Sequence, residues 1–296
     1  MNSFNLQGAI TAIVTPFQTN GKVDIVALKK FVDFQIEGGI DGLVVCGSTG
    51  EAATLETDEY KLVVKTVVTQ TKKRVPVIAG ASHNNTAKAV VLSKIAKKVG
   101  VDALLHTNPY YNKPTTNGLI AHFSAITKAV DLPLIIYNVP GRTGANMTAD
   151  VAIKIAKEVP HVIGIKEASG NIAQMMDIVK VAPDGFAVLS GDDALTLPLI
   201  ACGGVGIISV VANEIPKEFS DMVHTALDGD FEKARELHYE WLDLMNANFI
   251  ESNPIPVKTA LAMMGKIEEV FRLPLTPMTA KNKEALKEVL KKHKLI

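Results

Sequence analysis

Lys166 is the residue of this sequence whose type and position point most directly to chemistry. It lies near the end of an apolar, β-rich run, Val162 to Ala168, that is typical of a buried strand. Alternation along a strand places Val162, Gly164 and Lys166 on one face. Burial disfavours a charged amine and lowers its pKa, and a neutral amine forms Schiff bases with carbonyl compounds. The position predicts imine chemistry on a keto compound, and a lysine that reaches the surface is the alternative.

Tyr137 ends the preceding predicted strand, the run Leu134 to Asn138. Neighbouring strands lie about 4.8 Å apart, so an inward-pointing Tyr137 is within reach of an inward-pointing Lys166. A phenol beside an amine can carry protons during imine formation. A core tyrosine whose hydroxyl bonds to backbone is the alternative.

Two loops carry groups that suit the carboxylate of a substrate. Ser48 and Thr49 are flanked by glycines after the second predicted strand, where backbone N–H groups can point at an anion. Arg142 lies in a loop of proline and glycine after the fifth strand, and a guanidinium binds a carboxylate through two parallel hydrogen bonds. A tight turn and an exposed arginine are the alternatives. Tyr110 and Tyr111, after the fourth strand, indicate a pocket or an interface.

The elements that position these residues alternate between short apolar runs and longer segments with apolar residues at three- and four-residue spacing. The predicted strands are residues 9–14, 42–46, 75–80, 102–106, 133–138, 162–167, 186–190 and 205–211. The predicted helices between them are residues 24–38, 58–72, 86–99, 117–130, 148–159, 171–181, 193–202 and 216–228. Eight such units favour an α/β fold, the (β/α)8 TIM barrel, whose catalytic groups lie at the C-terminal ends of the strands. A doubly wound sheet would need a glycine-rich turn after strand one, where this chain has Thr15-Pro16-Phe17.

The alternation stops near residue 230. Residues 230–249, 256–265 and 281–293 predict three helices, punctuated by prolines. We therefore expect a catalytic barrel over residues 1–229 and a C-terminal helical domain over residues 230–296.

Composition and charge exclude several classes of protein. The 296 residues include 31 Lys and Arg and 31 Asp and Glu, so the formal net charge is zero. This charge gives no reason to expect nucleic acid or an anionic membrane as a partner, and it is compatible with self-association. We expect no signal peptide and no membrane span, since no run approaches about 18 apolar residues.

Cys46 and Cys202 lie in apolar runs and are expected to be reduced core residues of a cytoplasmic protein. No spacing of Cys and His indicates a metal site.

The motifs together resemble the dihydrodipicolinate synthase family, within the superfamily of pyruvate-dependent Schiff-base aldolases. The resemblance runs nearly end to end, and the order of the motifs makes it specific. It is carried by residues 12–17 (AIVTPF), 47–51 (GSTGE), 108–114 (NPYYNKP), 137–144 (YNVPGRTG), 164–170 (GIKEASG), 189–193 (LSGDD) and 253–258 (NPIPVK).

The resemblance implies condensation of pyruvate with L-aspartate 4-semialdehyde in lysine and diaminopimelate biosynthesis, with no cofactor and no metal. It implies that Lys166 forms the imine with pyruvate and that Tyr137 is the central proton relay. Ser48 would bond to Tyr137, and Tyr111 would complete the relay from a partner subunit. The family is mostly a homotetramer, a dimer of dimers, although some members stop at the dimer.

The resemblance also implies the substrate contacts. Thr49 would hold the carboxylate of pyruvate, and Arg142 would bind the carboxylate of the second substrate. Gly191 and Ile208 would lie along the bound substrate.

Ser48 departs from the family pattern, which usually has threonine at this position. Serine is more usual in the sister N-acetylneuraminate lyases, so such a lyase, or a 2-keto-3-deoxy sugar acid aldolase, is the alternative activity. The Arg142 loop favours the synthase, because the lyases lack this arginine. A barrel that binds keto acids without turnover is a third possibility.

Lys88 departs from the pattern of family members that lysine inhibits. These bind lysine through a histidine, an asparagine, a glutamate and a tyrosine, where this chain has Tyr60, Asn84, Lys88 and Tyr110. Lys88 replaces the acid that would pair with the amine of the effector, so like charges meet. We expect weak or absent inhibition by lysine.

Overall fold

The computed structural model describes residues 6–296, and its strands form one closed parallel barrel in sequence order, with the last strand paired to the first. The strands are β1 Gly8–Ala12, β2 Gly42–Val45, β3 Val77–Gly80, β4 Ala103–Thr107, β5 Leu134–Asn138, β6 Val162–Glu167, β7 Ala187–Ser190 and β8 Gly206–Ser209. Each overlaps a predicted strand, and the predicted (β/α)8 barrel is confirmed.

Helices follow the strands and form the outer layer of the barrel. They are α1 Ile25–Glu37, α2 Thr57–Thr71, α3 Thr86–Val99, α4 Thr116–Ala129, α5 Pro140–Thr143, α6 Ala149–Glu158, α7 Ile172–Val181, α8 Thr196–Ala201 and α9 Pro216–Leu227. The short helix α5, a single turn that carries Arg142, was not predicted. Asp24 and Asn85 begin α1 and α3 by accepting backbone N–H groups, and Gly100 ends α3 with a positive φ that suits glycine.

Along most of the strands, alternate side chains enter two different cores. On β2, Leu43 and Val45 pack outward under the helices, while Val44 points into the barrel. On β5, Ile135 and Tyr137 point inward in the same way. The period of two along a strand therefore places Tyr137, the last residue but one of β5, inside the barrel.

Strand β6 interrupts this alternation. Its pairing with β5 shifts register between Leu134 and Ile135, so one extra residue is accommodated on β6. Val162 consequently packs on the helix side, whereas Ile163 packs against the barrel interior. The prediction that Val162 shares a face with Gly164 and Lys166 is wrong for this reason.

Three helices follow the barrel: α10 Phe231–Ala247, α11 Ile255–Met263 and α12 Ala280–Lys292. They match the predicted C-terminal helices and bury a separate apolar core with α9, which includes Phe219, Trp241 and Leu286. The predicted boundary at residue 229 falls in the turn between α9 and α10, and the division into two domains stays a prediction.

The two cysteines differ in environment. Cys46 is buried directly after β2, as predicted. Cys202 is free, as predicted, but the prediction of a core position for it is wrong. It caps the C-terminus of α8 and is exposed, because Leu199 and Ile200 occupy the buried side of that short helix. Within residues 6–296, no helix combines the length and the apolar character that crossing a membrane would take.

Candidate active site

Lys166 and Tyr137 face each other at the C-terminal ends of β6 and β5. They are paired in the register of the two strands, and the Lys166 Nζ lies 4.6 Å from the centre of the Tyr137 ring. The two residues are 5% and 7% exposed. The predicted pair is therefore assembled, and it is closed off from most of the solvent.

Burial sets the protonation of both groups. It lowers the pKa of Lys166 to about 7, helped by the positive charge of Arg142 and opposed by the carboxylate of Asp193. Burial also raises the pKa of Tyr137 to about 12, which keeps its hydroxyl protonated at neutral pH. The site thus places an amine that is substantially neutral at pH 7 beside a phenol that can donate a proton.

Gly191 gives Lys166 the space in which its side chain lies. A Cβ built on Gly191 would stand 2.9 Å from Lys166 Cε and 2.6 Å from the Cβ of Ala168. Any larger residue at 191 would displace the lysine or Ala168, the residue after β6. Gly191 follows β7 directly and lines the same cavity as Lys166.

Asp193 is a buried carboxyl behind the lysine. It accepts hydrogen bonds from the Ser209 hydroxyl at 2.6 Å and from the backbone N–H of Val211 at 3.0 Å. Burial raises the pKa of Asp193 to about 6. The residue ties the loop after β7 to the end of β8, and no local sequence pattern indicated this role.

The loop after β2 presents Ser48 and Thr49 differently. Thr49 is buried, and its hydroxyl oxygen accepts a hydrogen bond from Asn253 Nδ2 at 2.9 Å. Ser48 is exposed toward the cavity. The loop ends at Glu51, a left-handed residue with φ 52° whose carboxylate is paired with the fully buried Lys258 of α11. The C-terminal segment therefore holds this loop at two points, through Asn253 before α11 and through Lys258 on α11.

Arg142 lies on α5 and remains exposed, with its guanidinium directed toward the C-terminal segment. Its Nη2 donates to the backbone carbonyl of Asn253 at 2.9 Å. Proline at the first position of α5 and Gly144 after it set the length of this single turn. The remaining N–H groups of the guanidinium are available to an anion in the cavity.

A cavity of about 630 Å³ brings most of the predicted site residues together. Six of them line it: Ser48, Thr49, Tyr137, Arg142, Lys166 and Gly191. The volume suits a small ligand of the size of two short keto or aldehyde acids. Among residues 6–296, no group of three or more His, Cys, Asp or Glu side chains is arranged to hold a metal ion.

Two predicted site residues do not line this cavity. Tyr111 is 90% exposed and takes a positive φ of 71°. Ile208 is fully buried in the barrel interior on β8, and Val210, two residues further on, lines the cavity. The roles of Tyr111 and Ile208 stay predictions.

A second cavity of about 660 Å³ adjoins the first and shares Ser48, Tyr137, Arg142 and Asn253 with it. Tyr60, Lys88 and Tyr110 line this second cavity. Asn84 is absent from its lining and donates to the Tyr110 carbonyl at 3.2 Å.

The family model described as "Dihydrodipicolinate synthetase family" matches residues 5–293. The chain belongs to the dihydrodipicolinate synthetase family. It is 54% identical to the 4-hydroxy-tetrahydrodipicolinate synthase of Koribacter versatilis over 285 residues, which is 96% of this chain and 95% of that one.

Solved structures of family members have the same fold. The dihydrodipicolinate synthase from Aquifex aeolicus superposes with a TM-score of 0.96 at 46% identity, over 98% of this chain and 99% of that one. The chloride-inhibited enzyme from Acinetobacter baumannii, complexed with pyruvate, superposes with a TM-score of 0.96 at 44% identity, over 99% and 100% of the two chains. Family membership supports the arrangement above as the active site.

Proposed function

We propose that this chain is a 4-hydroxy-tetrahydrodipicolinate synthase, a lyase that condenses pyruvate with L-aspartate 4-semialdehyde. The observation that carries the proposal is the buried Lys166 amine against the Tyr137 ring, in a cavity that also holds Thr49 and Arg142. One nucleophile, one proton carrier and two carboxylate-binding groups are what a condensation of two acids requires. Relatives of about 50% identity over nearly the whole chain carry this enzyme name.

The first half of the reaction uses Lys166 and Tyr137. The neutral amine attacks the C2 carbonyl of pyruvate, and loss of water from the resulting carbinolamine forms the imine. Tyr137 supplies the proton that the leaving water needs. Ser48 and Tyr137 both line the two cavities, so protons would pass from Tyr137 through Ser48 to the second cavity. Thr49 holds the pyruvate carboxylate, so that the methyl carbon faces the open part of the cavity.

The second half uses Arg142. Tyr137, which gave up its proton in the first half, takes a proton from the methyl group and so converts the imine to an enamine. The enamine carbon attacks the aldehyde of aspartate semialdehyde while Arg142 binds its carboxylate, and the aldehyde oxygen takes the proton back from Tyr137 and becomes a hydroxyl. The amine of the product then attacks the imine carbon, closes the ring and releases Lys166. Gly191 leaves the lysine room for these changes of geometry.

Tyr111 would act from a second copy of the chain. It is exposed on the rim next to Tyr110, which lines the second cavity beside Tyr137. An exposed tyrosine suits an interface, where aromatic residues are enriched. We propose a homodimer as the minimal active unit, with a tetramer of two such dimers as the larger assembly.

An aldolase that uses a sugar aldehyde is the second candidate. The observation that favours it is Ser48, whose small hydroxyl side chain leaves more room in the cavity than threonine would. Arg142 opposes it, because a neutral sugar chain has no carboxylate for the guanidinium to bind.

The test measures pyruvate consumption by the purified protein with aspartate semialdehyde, N-acetylmannosamine or glyceraldehyde. Fast consumption with aspartate semialdehyde alone supports the synthase. Fast consumption with a sugar aldehyde refutes it and supports the second candidate. If borohydride traps no pyruvate on Lys166, both lose their basis, and a keto-acid-binding barrel remains.

Replacement of Arg142 separates the two substrates. We expect Arg142→Ala to raise KM for aspartate semialdehyde by about tenfold or more, the cost of one charged hydrogen-bonded contact, while borohydride still traps pyruvate. The matched control is Arg235→Ala, which replaces an exposed arginine on α10. Unchanged kinetics for the aldehyde in Arg142→Ala would contradict the role of this residue.

A further inference from the structure

Asn253 connects the C-terminal helices to both carboxylate-binding groups of the active site. It lies between α10 and α11, is 6% exposed and lines both cavities. Its side chain donates to the Thr49 hydroxyl oxygen, 204 positions away in the chain, and its backbone carbonyl accepts from Arg142. One residue therefore contacts the two groups that would hold the two substrates.

The hydrogen bond to Thr49 has a defined polarity. A hydroxyl carries one hydrogen to donate and two lone pairs to accept with. Asn253 Nδ2 can donate only, so it occupies a lone pair of Thr49 Oγ1 at 2.9 Å. Within residues 6–296, no acceptor takes the Thr49 hydroxyl hydrogen, and the amide oxygen of Asn253 is buried without a partner. The hydrogen of Thr49 is left for a ligand that accepts, such as a carboxylate.

The contact with Arg142 restricts a side chain that is otherwise exposed. The guanidinium stands on a single helical turn, and its long side chain has several rotatable bonds. The Asn253 carbonyl accepts from Nη2 at 2.9 Å and so restricts the guanidinium, whose other N–H groups remain available to a ligand in the cavity.

We propose that Asn253 is a positioning residue that aims the Thr49 hydroxyl at the carboxylate of pyruvate and the Arg142 guanidinium at the carboxylate of the aldehyde substrate. The inference rests on the proposed function and adds to it a role for the C-terminal helices. The Thr49 contact depends on the side chain of Asn253, whereas the Arg142 contact depends on its backbone.

Asn253→Asp tests the polarity, because it keeps the shape and replaces the donor by an acceptor. The Thr49 hydroxyl would then donate to the new carboxylate and be lost to pyruvate. We expect KM for pyruvate to rise by about tenfold or more, with a smaller change in kcat at saturating pyruvate. Asn253→Ala should also raise KM for pyruvate. The double variant Asn253→Ala/Thr49→Val should have a KM for pyruvate close to that of Thr49→Val alone, because both substitutions remove the same contact.

The control is Asn248→Ala, which replaces another buried asparagine five residues earlier. Its side chain donates to Glu214 and does not line either cavity. We expect this control to lower the melting temperature and to leave KM for pyruvate unchanged. If Asn253→Asp behaves in the same way, the role of Asn253 is structural and the inference is overturned.

Borohydride trapping of pyruvate on the wild-type protein separates this inference from the proposed function. Full trapping by the wild type, with unchanged KM for pyruvate in the Asn253 variants, refutes the inference alone. Absence of trapping in the wild type refutes the proposed function and the inference together.

Discussion

Lys166→Met should make the protein more stable at neutral pH, by an amount that shrinks as the pH rises. The folded-state pKa of Lys166 is about 7, against an ordinary value of 10.5, because burial disfavours the ammonium. Between these two values the unfolded chain binds more protons than the folded chain, so the free energy of unfolding rises with pH. The folded protein therefore carries a penalty at pH 7 that disappears above pH 10.5.

The size of this penalty follows from the two pKa values. Linkage gives about 4 kcal/mol at pH 7 and about 1 kcal/mol at pH 10, on an order-of-magnitude basis. The same shift makes about half of the amine neutral at pH 7, against about 0.03% for an ordinary lysine, which is the catalytic gain. The loss of stability and the gain of nucleophile have one physical cause, the removal of the amine from water.

Urea-induced unfolding of wild type and Lys166→Met at pH 7, 8, 9 and 10, at one protein concentration and without pyruvate, measures this effect. The difference in the free energy of unfolding should fall by about 3 kcal/mol across the series. Any constant change in packing cancels in this comparison. Asp193, with its pKa raised to about 6, and Tyr137, with its pKa raised to about 12, keep their charge states over this range.

Lys98→Met, which replaces an exposed lysine on α3, reports the pH effect of removing a lysine at the surface. A difference for Lys166→Met that stays constant from pH 7 to pH 10 would show that Lys166 is protonated as an ordinary lysine. The argument for a desolvated amine as the nucleophile would then be refuted.

Lys258→Met should lower the free energy of unfolding by about 3–5 kcal/mol in urea titrations, because the carboxylate of Glu51 would stay buried without its counter-charge. A change below about 1 kcal/mol would argue that this pair does not stabilise the loop after β2. Gly191→Ala should slow the trapping of pyruvate by borohydride by about tenfold or more, because the new Cβ would stand 2.9 Å from Lys166 Cε, while the circular dichroism spectrum stays unchanged. An unchanged trapping rate would show that the lysine has room to move. Millimolar L-lysine should leave the initial rate of the wild type unchanged within about twofold, because Lys88 in the second cavity repels the amine of the effector. Lys88→Glu should increase inhibition by lysine. Strong inhibition of the wild type would refute the role given to Lys88.

Much of the fold could be predicted from the sequence because each strand and helix shows its own periodicity. All eight strands overlap the predicted runs, and α10 to α12 match the three predicted C-terminal helices. The errors have local causes. The extra residue on β6 moved Val162 to the helix side, and Cys202 lies at the exposed end of a short helix whose apolar run includes it. Periodicity in one segment contains no information on register with its neighbour.

The residues of the candidate site were predicted unequally. Lys166, Tyr137, Ser48, Thr49, Arg142 and Gly191 were predicted, and they line one cavity. Asp193, Asn253 and the Glu51–Lys258 pair belonged to recognised motifs but had no predicted roles. Their contacts join parts of the chain that lie far apart in sequence.

The sequence by itself determined the alternation of eight strands and helices and the residue types at the ends of those strands, because hydrophobic period and turn chemistry are local properties. It also determined that a lysine would lie near the end of a strand that must be buried. Only the tertiary structure decided that the Lys166 amine lies 4.6 Å from the Tyr137 ring and that its pKa falls to about 7. The physical reason is that desolvation and hydrogen-bond polarity depend on atoms from distant segments, such as Thr49 and Asn253, which are 204 positions apart and meet only when the barrel closes.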